Sequence, residues 1–319
     1  MKVCVLGAGS LGCAIGGALA EAGADVWLVN RSAAQVAALK ATGLRIRDGD
    51  AERTVRVNAA TDCSGIGTVD LVIVLVKSFH TREAMAGGVS LVGPGTIVLS
   101  LQNGLGHEDI LSEIVGREHV LAGKTYVGGM LLEPGLILST TRNRQTLIGE
   151  LDGAISERAV AIAALFERAG LATTVSPNIM GTIWDKLLVN VATGALSGIT
   201  GLSYGPMYQV PEVEACALAA VVEAMAVAEA SGVRIATREP REAWIRAADG
   251  LPPEFKASML QSLDKNSITE VDFINGAVVR WGERCSVPTP VNRTLVACIK
   301  GVERRMLDSM AARSANPGS

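Results

Sequence analysis

The stretch VCVLGAGSLGCAIGGALAEAG, residues 3–23, joins an apolar run to a glycine-rich turn and then to an alanine-rich segment. The apolar run predicts a buried strand and the alanine-rich segment predicts a helix. Between them, Gly7, Gly9 and Gly12 form the pattern GxGxxG. At a strand-to-helix turn the first glycine permits a tight turn, the second lets the backbone approach a pyrophosphate, and the third lets the helix pack close to the strand. We therefore predict a dinucleotide site here rather than a purely structural turn.

Strand and helix patterns alternate through the first half of the chain. Apolar runs without polar alternation are typical of strands covered on both faces, and hence of a parallel sheet. The predicted strands are 2–6, 25–29, 70–76, 96–101 and 172–175, and the predicted helices are 10–22, 33–42 and 155–169. A polar, hairpin-like segment follows residue 42, and residues 120–150 contain a few more strands.

Helical patterns dominate the rest of the chain. They cover 180–197, 212–231, 239–248, 254–264, 268–283 and 290–311. We therefore predict an α/β fold, with an N-terminal Rossmann-like doubly wound domain at 1–176 and an all-α C-terminal domain at 177–319.

Composition narrows the classes of function. The chain has 319 residues, of which 49% are hydrophobic, and a formal net charge of -3, which gives no bulk attraction for nucleic acid or an anionic membrane. Its six cysteines and three histidines follow no metal-ligand spacing, so we expect no metal site. No basic segment with a cleavage site opens the chain, and the alanine-rich stretch near 213–230 carries glutamates. We expect a soluble, cytoplasmic protein without nucleic-acid or membrane partners.

A homodimer stays open, because the helix at 212–231 could lie in an interface. Its default placement is the core.

The end of the second predicted strand bears on the choice of dinucleotide. NAD enzymes carry an acidic residue there, whereas this strand ends in Asn30-Arg31-Ser32. The Arg31 guanidinium can bind a 2′-phosphate, although it could also be a solvated surface charge. We therefore predict NADPH. Lys77 and Asn103, which end later strands, are candidate contacts at the same sheet edge, or else ordinary loop residues. The candidate cofactor contacts of this half are Gly7, Ala8, Gly9, Ser10, Leu11, Gly12, Arg31, Lys77, Asn103 and Gly129.

The second half offers candidates for the chemistry. In IWDKLLVNVATGALSG, Lys186 and Asn190 lie four residues apart and share a helix face. A lysine among apolar residues is either functional or a side chain that extends its ammonium to water at a helix end. In SMLQSLDKNSITEVDFING, Ser258 and Glu270 are further candidates. Glu270 is expected to start a helix and could be the partner of Lys186, or an ordinary charge at a helix N-terminus.

The order and spacing of five segments resemble the ketopantoate reductase (2-dehydropantoate 2-reductase) family almost end to end. They are GAGSLG at 7–12, LVKS around Lys77, QNG around Asn103, WDKLLVN at 184–190 and SMLQ…TEVDFING at 258–276. The resemblance implies that NADPH reduces the ketone of 2-dehydropantoate, giving pantoate for pantothenate biosynthesis.

The resemblance also implies roles for individual residues. Lys186 would be the general acid, and Glu270 would organise both the cofactor ribose and that lysine. Asn103 would lie between the nicotinamide and the substrate. Asn190 and Ser258 would contact the substrate.

The sequence departs from the family at three positions of the expected substrate pocket. Gly194 stands where asparagine is frequent, and Tyr204 and Phe255 stand where some members have polar contacts. Fewer polar groups would weaken discrimination for a hydroxylated substrate. A reductase for another branched 2-oxo acid therefore stays an alternative. From a different class, so does a non-catalytic NADP(H)-binding sensor, which would have no need of a proton donor.

Overall fold

The chain divides into two units. The computed structural model describes residues 1–49, 51–140 and 144–315. One unit contains Met1–Gln102 and Gly106–Ile179, and the other contains Asn103–Leu105 and the chain from Met180 onward. The main division follows residue 179, whereas the sequence predicted it after residue 176. The short segment at Asn103, which belongs by its contacts to the second unit, was not anticipated.

An eight-stranded sheet forms the centre of the first unit. In chain order the strands are β1 Lys2–Leu6, β2 Asp25–Val29, β3 Leu44–Asp48, β4 Ala51–Val55, β5 Asn58–Ala60, β6 Leu71–Val74, β7 Ile97–Ser100, β8 Val120–Thr125, β9 Gly128–Glu133, β10 Leu136–Thr140, β11 Thr146–Gly149 and β12 Thr173–Val175. The sheet order is β12-β11-β8-β7-β6-β1-β2-β5, and its neighbours are parallel except β8 and β11. The chain leaves β1 towards β2 on one side and returns to β6 on the other. The doubly wound topology predicted from the sequence is therefore confirmed.

A four-stranded sheet, in the order β4-β3-β10-β9, lies beside the main sheet. It consists of two antiparallel pairs that are joined by parallel pairing of β3 with β10. The sequence predicted the hairpin-like segment and the later strands, but not that they would form one sheet. Parallel pairing of distant segments leaves no local signal in the sequence, because each strand alone shows only its own alternation.

Five helices are described in the first unit, and the first of them packs against both sheets. They are α1 Ser10–Glu21, α2 Ala33–Thr42, α3 Thr81–Gly87, α4 His107–Val115 and α5 Glu157–Arg168. A Cβ on Gly16 would lie 2.6 Å from the side chain of Leu28 in the main sheet. A Cβ on Gly17 would lie 2.8 Å from the side chains of Ile46 and Leu44 in the four-stranded sheet. The small residues of α1 therefore let it approach two sheets at once.

The described part of the second unit is helical, with no strand. Its helices are α6 Ile179–Thr200, the first residue of which belongs to the first unit, and α7 Tyr204–Met207, α8 Pro211–Ala230, α9 Pro240–Ala248, α10 Ser258–Asp264, α11 Asn275–Cys285 and α12 Pro290–Ala315. The α8 helix buries a face of alanine and valine side chains, as expected of a helix in the core. Among the described helices, none has the length and apolar character that a membrane crossing needs.

The helix predicted at 268–283 is wrong at its start. Residues Val271–Phe273 form a 3-10 turn, and α11 begins only at Asn275. The backbone of Ile274, at φ −112° and ψ −95°, leaves the helical region and separates the two pieces. Before the turn, the backbone N–H and the hydroxyl of Thr269 both donate to Glu303, at 2.7 Å each. These long-range hydrogen bonds hold the backbone before α11 in a non-helical conformation, which the local sequence pattern does not reveal.

We predict that Gly12→Ala destabilises the first unit. A Cβ on Gly12 would overlap the carbonyl oxygen of Gly7 and lie 3.1 Å from the side chain of Val5. Helix propensity alone would favour alanine by up to about 1 kcal/mol, so the steric term decides the sign. Urea unfolding should show a loss of about 3 kcal/mol.

The matched control for Gly12→Ala is Gly87→Ala, in α3 of the same unit, where a Cβ would meet nothing within 4 Å. It should be neutral or slightly stabilising. Equal unfolding free energies for the two variants would contradict the packing argument.

Candidate active site

The glycine turn after β1 is held by contacts that exclude side chains. Gly7 has a φ of 104°, and a Cβ on it would lie 2.5 Å from the backbone nitrogen of Val76. The backbone N–H groups of Gly7 and Ala8 both donate to the carbonyl of Val29, at 3.1 and 2.9 Å. These contacts fix the turn at the end of β1, so that α1 starts immediately beyond the strand.

Asn30 braces the same turn from the end of β2. Its side-chain amide donates to the carbonyl of Ala8 at 2.7 Å, and its side-chain oxygen accepts from the N–H of Ser32 at 2.9 Å. Sequence reasoning noted only that position 30 lacks a carboxylate, and missed this bracing role. The sequence signal for this role is a side-chain amide at a strand end, because such a group can both donate and accept hydrogen bonds.

The start of α1 fits a bound pyrophosphate. A Cβ on Gly9 would meet nothing within 4 Å, so there is open space directly over the turn. In the described structure, no side chain caps this helix and its first turn carries no acidic residue. The N–H groups at a helix start form an anion site when no side chain occupies them. The residues of this turn therefore suit the dinucleotide that the sequence predicts.

The structure brings Gly129 to the start of α1. A Cβ on Gly129 would lie 3.1 Å from the carbonyl oxygen of Ser10. The Ser10 hydroxyl accepts from the N–H of Leu131 at 3.0 Å, which ties the helix to β9. The two predicted cofactor contacts Ser10 and Gly129 are therefore neighbours, and their contact with a cofactor stays a prediction.

Arg31 lies in an exposed cluster with two residues that the sequence did not single out. Its Nη2 atom lies 2.8 Å from Nε2 of His80, and its Nη1 atom lies 3.6 Å from Oε2 of Glu83. Lys77 is exposed one residue before the 3-10 turn that ends at His80, and its carbonyl accepts from the His80 N–H at 2.8 Å. The cluster brings a guanidinium to the predicted nucleotide site, although a carboxylate already faces the arginine.

In the second unit, Lys186 and Asn190 lie one turn apart on α6. Both are half-buried, on a helix whose other residues are mostly buried. Burial lowers the pKa of the Lys186 amine below its usual value, and the positive charge of Arg246 lowers it further. A lysine in such surroundings yields its proton more readily than one in water does. Sequence reasoning missed Arg246, because its position on α9 carries no local signal.

Asp185, next to the candidate lysine, anchors α6 to the loop before α9. Its carboxylate accepts from the N–H of Ala236 at 2.9 Å, from the N–H of Thr237 at 2.8 Å and from the Thr237 hydroxyl at 2.6 Å. Arg246 donates to that hydroxyl at 3.2 Å. Asp185 is only 8% exposed, and its carboxylate accepts three hydrogen bonds. These bonds hold this turn of α6 in place. The acidic residue in WDK is the sequence signal for this anchor, which sequence reasoning missed.

Beyond Asn190, side chains of other segments pack against α6. A Cβ on Gly194 would lie 3.2 Å from the end of the Met259 side chain, so the methionine covers the position where asparagine is frequent in the family. Tyr204 packs its ring against Phe255, with centroids 5.3 Å apart, and its hydroxyl lies 3.2 Å from that of Thr193. Burial raises the pKa of Tyr204. All three positions noted in the sequence are therefore packed, and Tyr204 keeps a hydroxyl that pairs with that of Thr193.

The segment that carries Asn103 packs on the 3-10 turn that follows Glu270. The N–H of Leu105 donates to the carbonyl of Phe273 at 2.9 Å, and a Cβ on Gly104 would lie 2.5 Å from that same oxygen. Asn103 is exposed and Glu270 is half-buried. The structure therefore brings together the segments of these two candidates. Contact of Glu270 with Lys186 stays a prediction. Glu270 directly precedes the 3-10 turn Val271–Phe273 and not the long helix expected there, because α11 begins at Asn275.

Ser258 is the exposed first residue of α10, directly before Met259. Its contact with a substrate stays a prediction. Within the described ranges, no group of three or more histidine, cysteine, aspartate or glutamate side chains could hold a metal ion.

Comparison with protein families gives matches over both halves of the chain. The family described as "Ketopantoate reductase PanE/ApbA" matches residues 3–153, and "Ketopantoate reductase PanE/ApbA C terminal" matches residues 178–303. The chain is similar to a 2-dehydropantoate 2-reductase of Halobacterium salinarum, at 34% identity over 308 residues, which cover 95% of this chain and 99% of that protein.

Two solved structures share the fold. A PanE/ApbA family ketopantoate reductase from Ralstonia eutropha JMP134 is 34% identical, with a TM-score of 0.88, covering 96% of this chain and 100% of that one. A D-mandelate dehydrogenase in a ternary structure with NADH and anilino(oxo)acetate is 26% identical, with a TM-score of 0.87, covering 96% and 99%. Matches of this extent decide the family, and the chain belongs to the ketopantoate reductase family of NAD(P)-dependent oxidoreductases.

Proposed function

We propose that the protein reduces 2-dehydropantoate to pantoate with NADPH, the reaction that provides pantoate for pantothenate. The proposal rests on Lys186, which is half-buried in WDKLLVN and whose pKa is lowered by burial and by Arg246. A protein that only senses NADP(H) has no need of such a proton donor. The family match over both halves of the chain supports the same reading.

Bound NADPH supplies the hydride that reduces the ketone carbon. As the carbonyl carbon accepts the hydride, its π electron pair moves to oxygen, and the developing alkoxide needs a proton. Lys186 donates that proton from Nζ and regains it from solvent. Its positive charge stabilises the oxygen before the transfer, and its lowered pKa makes the transfer easier.

Other residues of the chain orient the reactants. Asn190, one turn along α6, is placed on the same face to contact the substrate. Glu270 organises the lysine and the cofactor ribose, and Asn103 lies between nicotinamide and substrate, as in the family resemblance. The Thr269–Glu303 hydrogen bonds support Glu270, because they fix the residue next to it.

NADPH rather than NADH is proposed from the strand end at residues 30–32. Residues 30–32 include no carboxylate for the ribose hydroxyls, and Asn30 uses its side chain to brace the glycine turn. Arg31 is exposed and presents a guanidinium, which can bind a 2′-phosphate through two N–H groups.

A second candidate function is the reduction of another 2-oxo acid. It is favoured by the packing beyond Asn190 on α6, where Met259 covers Gly194 and Tyr204 packs against Phe255. A pocket with hydrophobic walls discriminates only weakly against a substrate that lacks a hydroxyl, because no polar group of the pocket is then left unpaired. The structural similarity to a D-mandelate dehydrogenase is consistent with a different 2-oxo acid on this fold.

An NADPH-oxidation assay with 2-dehydropantoate and other branched or aromatic 2-oxo acids separates these functions. We expect kcat/KM for 2-dehydropantoate to exceed that for the branched analogue without a hydroxyl by at least about tenfold. Equal values would favour the second candidate. NADPH binding without turnover of any acid would favour the sensor.

We predict that Lys186→Ala lowers kcat by about 10²–10⁴-fold, because it removes the proton donor. The Kd of NADPH, measured by fluorescence titration, should change less than about twofold, since the lysine acts on the substrate oxygen. The matched control is Lys256→Ala, an exposed lysine of the same unit that pairs with Asp264 at 2.8 Å, and it should leave kcat unchanged. Unchanged turnover in Lys186→Ala would remove the lysine from the mechanism.

We predict that the pH dependence of kcat reports the lowered pKa of Lys186. Only the protonated amine can donate, so kcat should fall as pH rises through that pKa. Arg246→Gln removes a neighbouring positive charge, so the pKa should rise and the decline should move to higher pH by a fraction of a unit. Arg241→Gln, on the same helix and paired with Glu214, is the control and should not move it. A decline that shifts equally in both variants would contradict this assignment.

A further inference from the structure

Three side chains of different charge meet in the exposed cluster around Arg31. Arg31 extends from the segment after β2, His80 ends the 3-10 turn Ser78–His80, and Glu83 lies on α3. The Arg31 Nη2 atom lies 2.8 Å from His80 Nε2, and the His80 Nδ1 atom lies 3.3 Å from Glu83 Oε2. The same Glu83 oxygen lies 3.6 Å from Arg31 Nη1. Each member of the cluster therefore contacts both of the others.

Hydrogen-bond roles in this cluster follow from the chemistry of the groups. A guanidinium can only donate, so His80 Nε2 accepts from Arg31. His80 Nδ1 then carries the ring proton and faces the Glu83 carboxylate, which can only accept. The imidazole therefore holds one edge of the guanidinium and is itself held by Glu83.

Nη1 is the guanidinium nitrogen whose present partner a ligand anion can displace most easily. Nη2 is engaged by His80, and Nη1 faces Glu83 at 3.6 Å, which is longer than a good hydrogen bond. The Arg31 and Glu83 side chains are 68% and 69% exposed, so this ion pair is weak and easily exchanged. A phosphate that approaches the Nη1 edge meets the carboxylate already there.

We propose that His80 and Glu83 set the affinity for the 2′-phosphate of NADPH. His80 acts as a positioning residue that orients the Arg31 guanidinium, and Glu83 acts as a built-in competing anion that the phosphate displaces from Nη1. The inference rests on the proposed function, which makes NADPH the cofactor. Because Glu83 competes for Arg31, the preference of this chain for NADPH over NADH is smaller than Arg31 alone would give.

Binding measurements test this proposal without turnover. The readouts are the Kd ratio of NADH to NADPH, by fluorescence titration, and that of 5′-AMP to 2′,5′-ADP, by calorimetry. Each pair of probes differs in the 2′-phosphate. Glu83→Gln should raise both ratios about two- to fivefold, because it removes the competing charge and keeps the shape. The Kd values of NADH and 5′-AMP should stay within about twofold.

His80 is tested by a pair of substitutions. His80→Ala removes the acceptor that orients Arg31 and should lower both ratios about threefold or more. His80→Gln keeps an acceptor oxygen at similar reach and should restore most of the loss, which a merely structural role would not explain. Glu113→Gln is the matched control for Glu83→Gln, since Glu113 is an exposed glutamate that pairs with Arg82 in the same unit. It should leave both ratios unchanged.

Failure of this inference differs from failure of the proposed cofactor. If the wild type favours NADPH and Arg31→Ala abolishes that preference, yet Glu83→Gln and His80→Ala leave the ratios unchanged, the inference is overturned and the cofactor assignment stands. A fall in NADPH affinity in Glu83→Gln would overturn it too. If the wild type shows no preference and Arg31→Ala changes nothing, the NADPH assignment itself is wrong.

Discussion

The approach of Gly12 to the carbonyl of Gly7 is the contact on which the nucleotide half of the protein depends. It allows α1 to start immediately beyond β1, and Gly9 then leaves its first turn open on the ligand side. Asn30 holds the turn from the neighbouring strand through the carbonyl of Ala8. A side chain at position 12 would push the helix away from the strand, and the N–H groups at its start would lose their fixed direction.

The fold of the first unit could largely be predicted from sequence, because its strands and helices each carry a local pattern. The pattern failed where distant segments decide the structure. Pairing of β3 with β10 joins strands far apart in the chain, and neither strand signals the other. The helix expected from residue 268 starts late because Thr269 is tied to Glu303 and Ile274 leaves the helical region. Such anchors are tertiary and override local propensity.

The same distinction separates the site residues found in the sequence from those that were missed. Lys186 is visible because a lysine in an apolar helix is unusual, and Arg31 is visible because it replaces an expected carboxylate. Arg246, Met259 and the His80–Glu83 pair lie in other segments, and their roles exist only through contacts made on folding. Sequence therefore indicates the chemistry, whereas the structure shows the contacts through which we propose that it is tuned.

Hydride transfer from NADPH to 2-dehydropantoate is what separates the proposed reductase from a protein that only binds the nucleotide. The most direct test uses NADPH that carries deuterium at the transferable C4 position, with 2-dehydropantoate as acceptor. Mass spectrometry and NMR of the product should find one deuterium at C2 of pantoate in each turnover. Bound nucleotide without deuterium in pantoate would contradict hydride transfer to 2-dehydropantoate.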